Sequence, residues 1–246
     1  MSTDRLPDAQ DEVFPGNALS QVVCELRFPI VIDLIDGLPP QLQKELRTHF
    51  PHYNRSWVLE FEPGAVDATR EPRYEFLSRD KDWKVSLKPT AISLETSNYI
   101  SFNDFRNKLE AVVAVATSRL PLLFFTRIGL RYINSFPLSD DAKGPDYWVD
   151  PKLLAPLQLT ELSAANRFWQ EISGVHEAGG SYFLRHGYGI LDNIGYILDI
   201  DVSMEGVEID AAISQVERFK AIAKRIFLDS VSDNALKWLR QEVDRT

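Results

Sequence analysis

Six residues of this chain have the types and spacing that could do chemistry, and all lie in strand-like segments. Glu25 and Arg27 are two apart in VVCELRFP, Arg127 and Arg131 are four apart in FTRIGLRYIN, and Asp199 and Asp201 are two apart in LDID. Side chains at i, i+2 and i+4 of a strand share one face, so each segment presents its charges together. Guanidinium groups grip carboxylates and phosphates in bidentate fashion. On that chemistry Glu25, Arg27, Arg127 and Arg131 form a candidate ligand-binding set for a small anion or a protein segment. Two carboxylates on one face could instead hold Mg²⁺ with its waters, which makes Asp199 and Asp201 the candidate metal ligands. Asp192, Glu205, Glu208 and Asp210 flank that pair. Both readings compete with a plainer one. A solvated sheet face carries cross-strand ion pairs, and acidic residues collect before a helix.

The remaining chemistry is sparse. There is no Gly-x-Ser-x-Gly elbow and no Gly-x-x-x-x-Gly-Lys-Ser/Thr loop. His49 and His52 fall three apart, with no further Cys or His nearby to complete a zinc site. Cys24 alternates with apolar neighbours and reads as a small buried hydrophobe. No catalytic residue is assigned and no cofactor is expected. The leading expectation is a cytoplasmic binding or regulatory module without catalysis. A metal-dependent hydrolase centred on the acidic cluster is the first alternative. A self-assembling scaffold, dimerising through a sheet edge or its last helix, is the second.

The elements that would position these residues follow from periodicity. Val22, Cys24, Leu26 and Phe28 alternate with Val23, Glu25 and Arg27, the period of a half-buried strand. A helix opens at Pro39-Pro40 and carries Leu42 and Leu46 inward. Short strands are expected at 56–61, 73–78, 83–87 and 91–96, the middle two joined across Arg79–Asp82. Ser101 or Asn103 caps a helix whose inward face is Phe105, Leu109, Val112, Val113 and Ala116. Strands at 124–136, 168–173, 181–186 and 194–202 follow, with Gly179-Gly180 as a hairpin turn. Tyr147 and Trp148 fall in the long connection between the first two, as core or rim aromatics or as a partner site. Gly187-Tyr188-Gly189 reads as a turn. Helices from about 208 to 228 and from 233 to 243 close the chain.

That order is α+β, with antiparallel sheets and helices on one face, and β-α-β(3–4)-α occurs twice. Leu26-Arg27-Phe28 aligns with Leu130-Arg131-Tyr132 at an offset of 104. The expected organisation is a flexible tail over 1–18, one half over 19–120 and a second over 121–246. Element order alone resembles the saddle of the TATA-binding-protein fold and implies no function.

The segments GNALSQVVCELRFP and RIGLRYIN, with the hairpin DWKVSL between them, resemble the signatures of a sporadically distributed, uncharacterised bacterial protein family of similar length. The resemblance would span residue 16 to the last helix. It implies a shared fold and brings no activity, substrate or site residue.

Composition bounds the partners. A net charge of −9 over 246 residues argues against nucleic acid as the general partner. The N-terminal residues contain no apolar signal core, and no apolar run approaches a membrane span. One cysteine permits no internal disulfide, as in a reducing cytoplasm. A homodimer is left open.

Overall fold

A computed structural model describes residues 14–60, 69–138, 143–158, 166–177, 179–189 and 195–241. In chain order the elements are β1 (Leu19–Arg27), α1 (Asp33–Asp36), α2 (Pro40–His49), β2 (His52–Glu60), β3 (Thr69–Leu77), β4 (Trp83–Lys88), β5 (Ala91–Thr96) and α3 (Phe102–Arg119). They continue with β6 (Phe124–Pro137), α4 (Pro145–Trp148), a 3-10 helix (Pro151–Gln158), β7 (Phe168–Val175), β8 (Ser181–Tyr188), β9 (Gly195–Glu208), α5 (Ala212–Ser230) and α6 (Asp233–Leu239). The class is α+β with a large antiparallel sheet. Its strand order is β2-β3-β4-β5-β1-β6-β9-β8-β7. Among the described residues no helix is long and apolar enough to cross a membrane.

Two compact units divide the chain. One comprises Gln21–Leu130 and Ser203–Glu217; the other comprises the residues up to Ser20, Arg131–Val202 and those from Arg218 on. The divisions fall inside β1, β6, β9 and α5, and not at the expected 120/121 junction.

In the first unit β1 pairs antiparallel with β5, from Val22↔Thr96 to Arg27↔Ala91. Val22, Cys24 and Leu26 are buried while Glu25 is half-buried and Arg27 exposed, as alternation requires. β4 joins β3 and β5 in register. The β3–β4 turn is tied by Ser78, whose hydroxyl accepts from the Trp83 amide at 3.0 Å and hydrogen-bonds Asp80. Ser101 caps α3 by accepting the Asp104 amide at 3.1 Å, a device worth about 1 kcal/mol. Phe105, Leu109, Val112, Val113 and Ala116 are the buried face of α3. Tyr74 donates its hydroxyl to the Leu34 carbonyl at 2.8 Å and so fastens α1 to β3.

In the second unit β7 and β8 pair from Phe168↔Tyr188 to Val175↔Ser181. Their turn closes through the His176 amide on the Gly180 carbonyl, with Gly179 at φ +85°. Gly187 is not a turn residue. It lies within β8, where a Cβ would come 2.0 Å from the Phe168 carbonyl oxygen. Trp148 is fully buried, stacked on Phe136 at 5.3 Å and edge-on to Trp238 at 5.2 Å. It therefore offers no exposed ring to a partner.

Several boundaries move: β2 starts at His52 rather than 56, β3 at Thr69 rather than 73, and α6 ends at Leu239 rather than 243. β9 runs on to Glu208, so the long helix starts at Ala212 rather than near 208. Residues 14–18 of the expected tail are fastened: the Gly16 amide donates to the Leu239 carbonyl at 2.7 Å, and the Ala18 carbonyl accepts from Ser135 at 2.7 Å. The rest of that tail lies outside the described residues, as do Asp192 and residues 242–246.

Candidate functional site

Three of the four expected ligand-binding residues gather in the first unit. Strand alternation puts Glu25 and Arg27 on one face of β1, and the Arg27 Nε donates to Glu25 Oε1 at 2.7 Å. Arg127 brings its Nη1 to 4.0 Å from the same oxygen. Gly129 makes room for this. A Cβ there would lie 2.6 Å from Arg127 Nη1, so the guanidinium lies across a bare backbone. One carboxylate thus faces two guanidiniums, and the trio carries net +1.

The sheet register supplies the surroundings. Glu25 lies opposite Ser93, Ser93 opposite Ser86, and Ser86 opposite Glu75, a row with two short hydroxyls at its centre. On one side of this row Lys84 and Glu95 close on each other at 3.0 Å. On the other side Arg27 and Lys88 flank Ala91 from the two neighbouring strands. Two strand spacings separate them, about 10 Å. The Arg27 side chain is 55% exposed. Among the described residues no carboxylate pairs with Lys88, and Arg27 has Glu25 alone. The place of Lys88 beside Arg27 depends on the register of three strands.

Arg131 belongs to the second unit and has a different partner. Its Nε and Nη2 donate to the two oxygens of Asp199 at 2.8 and 2.7 Å. The Asp199 side chain is only 3% exposed, and Arg185 Nη1 approaches it to 3.8 Å. Arg185 in turn donates to Glu171, directly opposite in the β7–β8 ladder, at 2.6 Å. The hydrogen bonds to Asp199 raise the Arg131 pKa above its ordinary value, against the opposing effect of burial. Arg131 therefore grips the very carboxylate considered above as a metal ligand. Asp199 and Asp201 are two apart in β9. Among the described residues no group of three or more His, Cys, Asp or Glu could hold a metal ion.

A second polar cluster had no local signal. His186 and Tyr196 are both fully buried, and His186 Nδ1 is 2.7 Å from the Tyr196 hydroxyl. Burial lowers the imidazole pKa from 6.5 to about 4 and pushes the Tyr196 pKa well up. His186 Nε2 and Gln170 Oε1, from register partners on β8 and β7, are buried with no hydrogen-bond partner among the described residues.

A shallow cleft of about 290 Å³ lies between α2 and α3, over Leu46, Phe50, Trp83 and Val112. Its charges pair among themselves or with a neighbour: Lys108 with Asp104, and Glu45 with Arg119. Lys108 Nζ also lies 4.5 Å from the Trp83 ring centroid.

Comparison with protein-family models, with curated proteins and with solved structures finds no match.

Proposed function

We propose that this chain is a cytoplasmic binding or regulatory module, without catalysis, that takes a small anion on the polar face of its sheet. The supporting observation is the cationic pair Arg27 and Lys88 across Ala91, with Arg127 completing the Glu25 cluster. A carboxylate or phosphate above Ala91 would accept from the Arg27 guanidinium and the Lys88 ammonium. Glu25 holds the Arg27 Nε and so orients the guanidinium without neutralising the pair. The single cysteine is buried and can form no internal disulfide, which suits a reducing compartment.

An internal duplication is part of this reading. In each half a first strand lies beside the last strand of an antiparallel meander, and a long helix follows. β1 lies beside β5 ahead of α3, and β6 lies beside β9 ahead of α5. Arg27 and Arg131 would then be equivalent positions that have diverged, one left open to a ligand and one closed on Asp199. The bacterial family resemblance is retained on the same footing, through its two strand signatures.

Titration calorimetry with citrate and with inorganic phosphate tests the site. Binding by the native chain that is lost in Arg27→Glu and in Lys88→Glu, with unchanged melting temperature, is the expected result. Failure of the native chain to bind either probe would remove the anion reading.

A further inference from the structure

β2 stands at one end of the strand order and hydrogen-bonds to β3, from His52↔Leu77 to Glu60↔Thr69. Among the described residues nothing pairs with its outer edge, so alternate N–H and C=O groups face outward along nine residues. Edge strands that must stay single are commonly short, bulged, or blunted by proline and lysine. β2 reads HYNRSWVLE, with neither residue, and is longer than the usual five or six.

Its side chains are unusual for this chain. Trp57 is 42% exposed and Tyr53 38%. The Arg55 guanidinium lies 4.8 Å from the Trp57 ring centroid, and that of Arg70, on β3, lies at 4.2 Å. Among the described residues no carboxylate pairs with either arginine. A protein of net charge −9 thus sets two guanidiniums, with no carboxylate partner among the described residues, against an exposed indole beside a backbone edge that nothing described covers.

We propose that this edge receives an extended acidic segment of a partner protein as an added strand. The partner's backbone completes the ladder, and its carboxylates, at alternate positions, meet Arg55 and Arg70. A second copy of this chain fits less well. Joining two β2 edges would bring a second Arg55 and Arg70 against the first, and like charges across a ladder are destabilising. Nucleic acid also fits less well. Guanidiniums already lie over Trp57 where a base would stack, and a nucleic acid leaves the backbone edge unused. The inference is independent of the Arg27 site.

The test uses a fluorescein-labelled ten-residue peptide with glutamate at alternate positions and valine between, read by fluorescence polarisation on the full chain. Binding to the native protein is expected, weakened about tenfold or more by Arg55→Glu and by Arg70→Glu, and unchanged by Arg27→Glu. Replacing the glutamates with glutamine should weaken it similarly. Two versions N-methylated at odd or at even positions should differ, one binding and one not, because only one set of amides faces β2. These peptide changes keep the test decisive if an arginine variant fails to fold. No binding by the native chain, or equal binding by both N-methylated versions, overturns the proposal. So does tighter binding of oligothymidine through the same arginines. A dimer in sedimentation that Trp57→Glu dissociates also overturns it.

Discussion

The Arg131 guanidinium closes on both carboxylate oxygens of Asp199, 68 residues further along the chain, and leaves that carboxylate almost wholly out of water. Arg185 stands on its other side. The two arginines share one buried anion, so the three groups are not interchangeable in what their loss would do.

Asp199→Ala should therefore cost more than Arg131→Met. The first leaves the Arg131 guanidinium without its bidentate anion and Arg185 with Glu171 alone; the second leaves Asp199 with Arg185. Breaking a fully buried pair costs about 3–5 kcal/mol. Arg131 is partly exposed, which reduces the loss for Asp199→Ala to roughly 2 kcal/mol, with Arg131→Met nearer 1 kcal/mol. Urea denaturation of both variants measures the order, and the reverse order would refute this account.

Acid should weaken the fold as pH falls below 6.5. The His186 pKa falls from 6.5 to about 4 on folding because burial penalises the charged ring. Above pH 6.5 the imidazole is neutral in both states, and its contribution is fully present. Between pH 6.5 and 4 the unfolded chain takes a proton that the folded chain refuses, so stability falls as pH falls. The whole shift amounts to roughly 3 kcal/mol. Asp80 has a lowered pKa, so the stability it adds is lost only below this window, as pH drops from its ordinary 3.8. Denaturation midpoints at pH 7, 5.5 and 4.5 should decline in the native chain and flatten in His186→Gln. An equal decline in both would assign the acid sensitivity elsewhere.

Gly187 and Gly37 should respond oppositely to alanine. Gly187 has φ +155° and would drive a Cβ into the Phe168 carbonyl; Gly187→Ala should lose about 3 kcal/mol or fail to fold. Gly37 has φ −178° and open space around it. Gly37→Ala should be neutral or gain about 0.5 kcal/mol by stiffening the unfolded chain. Melting temperatures of the pair decide it.

Trp148→Ala should cost about 3–5 kcal/mol as a buried aromatic replaced by a void. Trp148→Phe should cost much less. Among the described residues its Nε1 has no hydrogen-bond partner, so no described hydrogen bond is forfeited, and Phe136 keeps a ring to stack on. Thermal unfolding of the two variants would contradict this if their losses were equal.

Legibility in the sequence followed locality. β5 is read to the residue, and β1 nearly so, because each buries one face and alternation is visible within six residues. The Ser101 cap and the inward face of α3 are likewise local. β2 shows no such pattern: residues 52–55 and Trp57 are exposed on both faces, so the sequence predicts only part of its length. The fastening of residues 14–18 depends on Leu239 and Ser135, far away in the chain. Trp148 looked ambiguous because proline and aspartate surround it, yet it is core. Glu25 and Arg27 show themselves as neighbours two apart. That Arg131 would choose Asp199, and His186 would meet Tyr196, depends on strand pairing that neither segment carries alone.

The Gly16 amide rests on the Leu239 carbonyl, at the end of the last helix. A stitch of a few residues could therefore join the neighbourhoods of 14 and 241, and the chain could be reopened at an exposed turn such as 79–81. Such a circular permutant would keep every strand pairing described and carry its new termini on the β3–β4 hairpin tip.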